Sequence, residues 1–431
     1  MELSTKKARP LIGEIGLPGD KELSHLALVL GSLCDGTSGI TGLGEGLDVE
    51  ATKVCLLRLG VQMLRHKVRE HEILAVQGKG PRSLVESLDW LDCEDSEATL
   101  GLLMGLLAGQ DMKSKLTGGE DLRRVPLKGL ASVLRGMGAT VAFENGESAP
   151  LTILGAPLKS AEVEVEDGKA KAAVLLAGLF AQGVTSVAER GKGWDHVERM
   201  FRHFGVPLER AGRACRVEGG ALPRCAAVRL PGDMHLAAYW AAAASMVPGS
   251  DLTMTEIGAN PCRTAWLDIL DRMGASIERR PWGDNIIGAP EPVGDLQVKA
   301  AGLKGAEVSA EETSRAVHEL PVLMAAATQA KGKTRFKGVR ALDKSGEVLV
   351  KAAAKLVKAL GGKVLVRSGV LTVTGPTTLT GLRMEAGKDP RVAMAGLVAG
   401  LVAEGEMCLT DGRCVVNAYP TFYSRLRALC Q

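Results

Sequence analysis

The sequence predicts an α/β protein built from six copies of one βαβαβ-type unit, arranged as two domains of three copies each. The first observation behind this prediction is a recurring segment that is almost free of charge, rich in Ala and Leu, and closed by a glycine. The second is an amphipathic segment that recurs between these and also ends on a glycine. The third is a Pro-Gly-Asp sequence that follows a strand-like stretch twice, at 18–20 and at 231–233.

The uncharged segments predict helices that are buried on all sides, because each is apolar around about three turns. Each is shorter than the roughly 20 apolar residues that cross a bilayer. We expect their closing glycines at helix C′ positions with positive φ, followed by β-like stretches. These glycines are 73, 74, 66, 83 and 73 residues apart and are Gly36, Gly109, Gly183, Gly249, Gly332 and Gly405.

The amphipathic segments predict helices on the surface, each followed by a strand pattern. Their closing glycines are Gly60, Gly138, Gly205, Gly274 and Gly361. The two Pro-Gly-Asp sequences predict one domain over 19–231 and a second over 1–18 plus 232–431. Two crossover strands would then act as a hinge near 14–20 and 228–233. The alternative is that Pro-Gly-Asp only caps a helix at both places.

Composition and charge exclude several classes of protein. The chain has 53 glycines without a collagen period and 46% apolar residues, which excludes collagen and disorder. The net charge of +3 is too balanced for a nucleic-acid-binding protein. The nine cysteines form no Cys-x-x-Cys pair, which favours free thiols in a reducing cytoplasm. We expect a cytoplasmic monomer without metal, cofactor, membrane segment or signal peptide.

The predicted buried helices suggest a binding site for anions. Parallel helices would aim several N-termini, with their unpaired N–H groups, in one direction. This arrangement predicts an anion-binding cleft between the domains; plain N-capping by Asp and Ser is the alternative. The N-termini are expected after Asp20, Ser96, Asp167, Asp233, 311–313 and Asp389.

Several stretches together resemble the EPSP synthase (3-phosphoshikimate 1-carboxyvinyltransferase) family, and UDP-N-acetylglucosamine enolpyruvyl transferase more distantly. The resemblance extends over essentially the whole chain. It implies a two-domain inside-out α/β barrel and transfer of the enolpyruvyl group of phosphoenolpyruvate to shikimate 3-phosphate, in the shikimate pathway of aromatic amino acid biosynthesis. The stretches that carry it are 17–28, 106–124, 175–187, 195–206, 230–244, 258–278, 319–327 and 390–398.

The first family motif, similar to Pro-Gly-Ser-Lys-Ser-x-Ser-x-Arg, falls on 18–26. Lys21 and Ser24 match it, whereas Glu22 replaces a serine and Leu26 replaces the arginine. The resemblance implies that Lys21 and Ser24 bind substrate, and that the lost arginine weakens the binding of an anion.

The second motif, similar to Cys-Gly-Asn-Ser-Gly-Thr-Thr-Met-Arg, falls on 93–101 and is the phosphoenolpyruvate loop of the family. Ser96 matches it as a candidate substrate contact. Glu97 stands in place of the glycine that lets substrate approach the backbone, and Gly101 replaces the arginine.

The remaining motifs are also altered. Arg124 adjoins the position of a family Arg-Pro pair, and Asp167 and Lys169 fall on a Ser-Ala-Gln segment that holds the shikimate phosphate. His318 falls on the catalytic aspartate, followed by a retained Glu319. Lys344 lies beside the position of a Lys-Glu-Ser-Asp-Arg motif that this chain has lost, and it is a candidate for anion binding. Arg391 is retained from an Asp-His-Arg motif and is the last such candidate. Asn417 replaces a lysine that the family has near the end of the chain.

The changes predict poor binding of the family substrates. Each lost charge-assisted hydrogen bond forfeits roughly 1.5–3 kcal/mol, and the new carboxylates Glu22, Glu97 and Asp167 add repulsion. Four or five such losses would cancel a micromolar affinity, worth about 8 kcal/mol. We therefore expect a family member that has lost or altered the standard reaction.

Two alternatives remain open. In the first, the chain is an active but highly divergent enzyme, in which His318 and Glu319 transfer protons and the retained cations hold anions. Otherwise it is a non-catalytic scaffold or partner-binding protein, whose exposed Trp194 and Trp282 would contact a partner.

Overall fold

Short β-strands alternate with buried and surface helices along the chain, and the described strands form seven sheets. The structure is a computed structural model that describes residues 1–68, 71–190, 193–283 and 288–430. Its helices are α1 (Lys21–Leu33), α2 (Leu47–Arg58), α3 (Glu97–Ala108), α4 (Lys128–Met137), α5 (Gly168–Gly178), α6 (His196–His203), α7 (Met234–Met246), α8 (Ala265–Arg272), α9 (Ala310–Arg315), α10 (Leu320–Gln329), α11 (Lys344–Ala359), α12 (Pro390–Gly400), α13 (Arg413–Ala418) and α14 (Phe422–Cys430), with a 3₁₀ turn at Leu122–Arg124. No helix of the described residues is long and apolar enough to cross a membrane.

The strands are short and follow the helices in regular order. They are β1 (Leu3–Lys6), β2 (Ile12–Gly16), β3 (Asp35–Thr41), β4 (Gln62–Val68), β5 (His71–Lys79), β6 (Leu91–Asp92), β7 (Lys113–Thr117), β8 (Thr140–Phe143), β9 (Leu151–Leu154), β10 (Leu158–Lys159), β11 (Glu162–Val165), β12 (Ala181–Gln182), β13 (Val184–Glu189), β14 (Leu208–Ala211), β15 (Ala214–Glu218), β16 (Ala227–Arg229), β17 (Asp251–Gly258), β18 (Ser276–Gly283), β19 (Val293–Lys299), β20 (Glu307–Val308), β21 (Gly332–Lys337), β22 (Lys363–Arg367), β23 (Val370–Gly375), β24 (Arg383–Met384) and β25 (Glu406–Leu409).

Most of these strands form four-stranded sheets with one shared plan. In the sheet β6-β7-β9-β8, the first strand pairs parallel with the second, and an antiparallel hairpin completes the sheet. A buried helix connects the two parallel strands, and a surface helix precedes the hairpin. The sheets β11-β13-β15-β14 and β20-β21-β23-β22 repeat this order. The repeated unit predicted from the glycines is therefore present, with a fourth strand that the sequence pattern did not reveal.

Two sheets exchange their first strands. The strand β2 precedes α1 in the chain, but it pairs parallel with β17. The strand β16 precedes α7, but it pairs parallel with β3. In the last sheet, β1 from the beginning of the chain pairs antiparallel with β25, next to β24. Three of the seven sheets that the described strands form thus depend on strands that are distant in sequence.

The described residues fall into two compact units, each with its own hydrophobic core. One unit contains those of 19–230 and 286–291, and its core surrounds α1, α3 and α5. The other contains those of 1–18, 231–285 and 292–431, and its core surrounds α7, α10 and α12. Because the side chains of these six helices are mainly Ala, Leu, Val and Met, the helices pack closely with few aromatic residues.

Side-chain caps determine where most of the buried helices begin. Asp20, Ser96 and Asp167 accept hydrogen bonds from backbone N–H groups in the first turns of α1, α3 and α5. Asp233 and Asp389 do the same for α7 and α12. These five starts agree with the sequence prediction.

The predicted start of the fifth buried helix is wrong. Residues 311–313 belong to the separate short helix α9, which Ser309 and Glu312 close with a capping box. The buried helix α10 begins only at Leu320, after Glu319. The capping signal around residues 311–313 therefore belongs to the short helix α9 and not to the buried helix α10.

The predicted C′ position of the buried-helix glycines also needs correction. The helix α1 ends at Leu33, and Gly36 with φ +127° already lies in β3. Gly109 has a negative φ of −93°. An added Cβ there would lie 2.3 Å from Cγ of Phe180, so the close approach of this ring requires glycine. The predicted positive φ is nevertheless present at five of the six glycines, namely Gly36, Gly183, Gly249, Gly332 and Gly405. The surface helices carry glycines with positive φ directly at their ends, as at Gly60.

The helices α3 and α5 approach each other at a glycine. A Cβ added to Gly105 would lie 2.0 Å from the carbonyl oxygen of Ala173, so any side chain would separate the two helices. Gly101, one turn earlier in α3, would meet no heavy atom within 4 Å. The two glycines of one helix thus have opposite structural roles.

A buried polar network lies beneath the first turns of α1 and α3. His25 is fully buried, and its Nδ1 lies 2.7 Å from Oγ1 of Thr52. Oγ1 of Thr52 lies 2.7 Å from Oγ1 of Thr99, which donates to Oγ of Ser96 at 2.8 Å. The Nε2 atom of His25 is buried without a hydrogen-bond partner among the described residues. Burial lowers the pKa of His25 to about 4, so the ring is neutral at pH 7.

We expect Gly105→Ala to lower the free energy of unfolding by about 1–3 kcal/mol, because the new methyl group overlaps the backbone of α5. Gly101→Ala is the matched control in the same helix. It should raise this free energy by about 0.5–1 kcal/mol, because alanine reduces the entropy of the unfolded chain and meets open space. Urea unfolding followed by circular dichroism measures both. Equal effects of the two substitutions would contradict the close approach of α3 and α5.

We expect stability to fall as the pH falls from 6.5 to 4, partly because of His25. Its folded pKa of about 4 lies below the ordinary 6.5, so the unfolded chain binds more protons in this window and stability rises with pH. The full effect is about 3 kcal/mol. His25→Asn should therefore reduce the difference in unfolding free energy between pH 7 and pH 4. The exposed His66→Asn serves as the control, and a pH difference unchanged in His25→Asn would refute the prediction.

Candidate functional site

The first turns of α3 and α5 bring a cation and a carboxylate into contact. Lys169 in α5 places Nζ 2.6 Å from Oε2 of Glu97, the first residue of α3. Burial lowers the pKa of Lys169, but the carboxylates of Glu97, Glu22 and Asp167 outweigh it and raise this pKa above its ordinary value. Lys169 is therefore protonated, and its charge is neutralised within the chain.

A small, mainly apolar pocket with a cavity volume of about 30 Å³, partly open to solvent, lies beside this ion pair. Leu26 and Leu102 form part of its wall, and Glu22 and Lys169 contribute the charged groups. Its remaining lining residues are Ala98, Gly168, Ala172, Trp194, His196 and Val197. All ten belong to the unit around α1, α3 and α5.

Trp194 belongs to this pocket and is only half-exposed, which corrects the expectation of an exposed tryptophan. Its ring meets the ring of His196 edge to face, with centroids 5.9 Å apart. Its carbonyl oxygen accepts a hydrogen bond at 2.5 Å from Nζ of Lys171, which is buried between Glu189 and Glu198. The side chain of Trp282 lies outside the described residues.

The other candidates in this unit already have partners. Nζ of Lys21 lies 2.6 Å from Oδ2 of Asp48, and although burial raises the pKa of Asp48, the charge of Lys21 lowers it overall. Ser24 is fully buried; its Oγ donates to the carbonyl of Asp20 and accepts from the N–H of Gly44. Its hydrogen bonds thus join α1 to the following loop.

Ser96 and Arg124 also make local contacts. Ser96 is 1% exposed and accepts hydrogen bonds from both the N–H and the hydroxyl of Thr99, so it caps α3. Arg124 is exposed in the 3₁₀ turn and pairs with Glu120 at 2.6 Å and Asp121 at 3.4 Å. Neither residue lines the apolar pocket.

The second unit has a polar cluster at the beginnings of its buried helices. Nδ1 of His235 in α7 lies 2.8 Å from Oε1 of Glu319, which precedes α10. Nη1 of Arg391 in α12 lies 2.5 Å from Nδ1 of His318, and the two histidine rings are 6.1 Å apart. The structure thus brings His318, Glu319 and Arg391 together.

Arg391 is held by a carboxylate from its own helix cap. Nε and Nη2 of Arg391 donate to Oδ1 and Oδ2 of Asp389 at 3.0 Å and 2.7 Å. Burial lowers the pKa of Arg391, but the hydrogen bonds and charge of Asp389 outweigh it and raise this pKa. Burial raises the pKa of Asp389, but the hydrogen bonds and charge of Arg391 outweigh it and lower this pKa. Both groups are charged at neutral pH.

The hydrogen bonds of this cluster assign complementary roles to the two histidines. A guanidinium only donates, so Nδ1 of His318 accepts and its Nε2 carries the proton of the neutral ring. A carboxylate accepts, so Nδ1 of His235 donates to Glu319 and its Nε2 keeps a lone pair when the ring is neutral. The ring of His318 can therefore donate a hydrogen bond through Nε2, and the neutral ring of His235 can accept a proton there.

Lys344 stands apart from this cluster. It is exposed in the first turn of α11, which Asp343 caps. Within the part of the chain that the structure describes, no hydrogen bond or ion pair joins Lys344 to His318, Glu319 or Arg391.

His235 is the main residue that the sequence analysis missed. The signal was present in the repeated Pro-Gly-Asp sequences, because His235 stands two residues after Asp233 as Glu22 stands two residues after Asp20. The four-residue contact between His235, Glu319, His318 and Arg391 depends on three helices and was not visible in any one motif. Among the described residues, no group of three or more His, Cys, Asp or Glu side chains is arranged to hold a metal ion.

Comparisons with known proteins agree with the resemblance seen in the motifs. The enzyme called 3-phosphoshikimate 1-carboxyvinyltransferase from Geobacter sulfurreducens is 38% identical over 429 residues, covering 99% of this chain and 98% of its own. The enzyme of that name from Gloeobacter violaceus is 39% identical over 434 residues, with 99% of each chain covered.

Solved structures support the same assignment. EPSP synthase from Acinetobacter baumannii superposes with a TM-score of 0.88 at 28% identity, covering 100% of this chain and 98% of that one. The enolpyruvyl transferase NikO from Streptomyces tendae, at 18% identity, shares the fold with a TM-score of 0.76 over 99% and 97% of the chains. These likenesses confirm the predicted α/β fold of the inside-out barrel type. The sequence model of the family described as EPSP synthase (3-phosphoshikimate 1-carboxyvinyltransferase) matches residues 5–426, and the chain belongs to this family.

Proposed function

We propose that this chain is an EPSP synthase family member that has lost or altered the standard enolpyruvyl transfer and binds phosphoenolpyruvate and shikimate 3-phosphate poorly. The observation that carries the proposal is the 2.6 Å ion pair between Lys169 and Glu97. Lys169 is the one cation among the described residues that line the apolar pocket, and its charge is already paired.

Two further positions support the proposal. Leu26 and Gly101 stand where the family motifs have arginines, and Leu26 forms an apolar wall of the pocket. A phosphate or carboxylate group placed there would face Leu26 and the carboxylate of Glu22, instead of a guanidinium. Each missing charge-assisted hydrogen bond weakens anion binding by roughly 1.5–3 kcal/mol.

A second candidate is an active, highly divergent 3-phosphoshikimate 1-carboxyvinyltransferase. The polar cluster of the second unit favours it, because Arg391 is retained, His318 offers a hydrogen-bond donor and His235 offers a proton acceptor. In that case Glu319 holds His235 in position for proton transfer. The scaffold alternative loses support at Trp194, whose half-exposed ring lines the pocket.

We expect no phosphate release above about 1 per second, an ordinary enzymatic rate, when the purified protein is mixed with phosphoenolpyruvate and shikimate 3-phosphate. A variant that combines Glu22→Ser, Leu26→Arg, Glu97→Gly and Gly101→Arg restores the family residues at four altered positions of the first two motifs. A Cβ added to Gly101 would meet no heavy atom within 4 Å, so the first atom of the arginine side chain has space. The restored variant should bind both substrates more tightly, measured by isothermal titration calorimetry.

Two results would oppose the proposal. Wild-type turnover above that rate, abolished by Glu319→Gln, would establish the divergent enzyme instead. Failure of the restored variant to gain affinity, while circular dichroism shows it folded, would show that the altered residues do not limit binding.

We expect Glu97→Gln alone to tighten binding of shikimate 3-phosphate about tenfold, because the substitution frees Lys169 to donate charge-assisted hydrogen bonds to the ligand. The pKa of Lys169, now raised by Glu97, should fall in this variant but leave the amine protonated at pH 7. Calorimetric titration measures the affinity. Glu144→Gln is the control, because Glu144 is exposed and does not line the pocket. Equal affinities for Glu97→Gln and Glu144→Gln would contradict the role given to the ion pair.

A further inference from the structure

Two cysteines that are distant in the chain lie side by side where β16 joins the sheet of β3. Cys34 ends the helix α1, and Cys225 lies in the segment 221–226, which has no regular secondary structure and leads into β16. The two strands run parallel, with Ala227 opposite Gly39. Sγ of Cys225 donates to the carbonyl oxygen of Asp35, the residue after Cys34, at 3.4 Å. The pairing of β16 with β3 therefore brings the two thiols together.

Two residues of β3 shape the space around these thiols. Oγ of Ser38 donates to Sγ of Cys34 at 3.8 Å and accepts a hydrogen bond from the N–H of Ala226 at 3.2 Å. One hydroxyl thus joins the buried thiol to the chain beside Cys225. Gly36 has a φ of +127°, and a Cβ added there would lie 2.9 Å from Sγ of Cys225. Glycine at this position therefore leaves room for the sulfur.

The two thiols act on each other but differ in their access to solvent. Cys225 is exposed, whereas Cys34 is fully buried. Burial raises the pKa of Cys34 to about 12, and the charge of Cys225 and a hydrogen bond with its thiol act in the same direction. An exposed thiol beside a second, protected thiol is the arrangement of a pair that is oxidised in two steps.

A second pair of cysteines in the same unit lacks this access. Cys55 in α2 and Cys93 after β6 are also neighbours, and a side-chain hydrogen bond from Cys55, followed by burial, raises the pKa of Cys93. Both side chains are fully buried. An oxidant dissolved in water reaches neither sulfur directly, so this pair is an internal comparison for the role of exposure.

We propose that Cys34 and Cys225 are a redox-sensitive pair, which a hydroperoxide converts into a reversible disulfide within the chain. The disulfide fastens the beginning of β16 to the end of α1 and so stabilises the sheet β16-β3-β5-β4. The pair lies outside the polar cluster of the second unit and does not line the small apolar pocket. It therefore responds to oxidants whether or not the standard reaction is lost.

The oxidation occurs in two displacements. The thiolate of Cys225 attacks one oxygen of hydrogen peroxide; the O–O bond breaks, a sulfenic acid forms, and the hydroxide that leaves takes up a proton to become water. Sγ of Cys34 then gives up its proton and attacks Sγ of Cys225; the S–S bond forms, the S–O bond breaks, and the second hydroxide leaves as water with that proton. The two thiols lose two electrons in total, and the peroxide gains them.

Peptide mapping of the full chain tests the linkage. The reduced protein is treated with hydrogen peroxide at neutral pH, the remaining thiols are blocked with N-ethylmaleimide in denaturant, and non-reduced peptides are identified by mass spectrometry. The main cross-linked product should join Cys34 to Cys225 and disappear with dithiothreitol, while Cys55 and Cys93 remain reduced. Conversion of Cys225 to a sulfinic acid without this link, or a faster link between Cys55 and Cys93, would overturn the inference.

Thermal unfolding tests the effect on the sheet. The oxidised chain should unfold about 5–10 °C higher than the reduced chain, because the disulfide closes a long loop in the unfolded state. Cys225→Ser should fold like the wild type, because Cys225 is exposed, and it should show no such rise. The matched control Cys430→Ser removes a half-buried cysteine near the end of the chain and should keep the full rise. Equal shifts in the two variants would overturn the assignment.

A third variant isolates the role of the buried thiol. In Cys34→Ser, the sulfenic acid of Cys225 has no neighbouring thiol to attack it, so dimedone should trap it in a larger fraction of the chains than in the wild type. Circular dichroism confirms that the variant is folded, and the Cys225→Ser result applies even where it is not. Equal dimedone labelling of folded Cys34→Ser and wild type would contradict the role given to Cys34.

Discussion

The close approach of α3 and α5 at Gly105 controls the geometry of the candidate pocket. With a hydrogen atom as its side chain, Gly105 lets the backbone of α3 pack against the carbonyl oxygen of Ala173. The first turns of the two helices then lie close enough for Glu97 and Lys169 to form an ion pair. A wider separation would pull the carboxylate and the ammonium apart and change the wall of the pocket. A packing constraint in the core thus determines the electrostatics of the surface.

The beginnings of buried helices are natural sites for anions, and this chain supplies the anions itself. Asp20, Asp167, Asp233 and Asp389 accept hydrogen bonds from backbone N–H groups at four of these helices. Glu97 adds a carboxylate in the first turn of α3, where the helix dipole favours negative charge. One backbone N–H group at each of these four helices is therefore already satisfied within the chain.

The sequence allows the repeated unit to be predicted because buried helices, surface helices and glycines recur at regular distances. It misplaces α10, because the Ser309 capping box is a local signal that fits the short helix α9 equally well. The sequence also predicts an exposed Trp194, because the hydrogen bond from Lys171 to its carbonyl oxygen joins residues that are distant in the chain. His235 is not predicted as a site residue for the same reason, because its partner Glu319 is 84 residues away in the chain.

The exchange of β2 and β16 has a consequence for folding during synthesis. The sheet of β3 is complete once residues 227–229 have left the ribosome, so the unit around α1, α3 and α5 can close early. The strands β2 and β1 are made first but must wait for β17 and β25, at 251–258 and 406–409. Their unpaired edges are open to other partners during this delay. The strand β1 therefore stays without its sheet partner until nearly the whole chain has been synthesised.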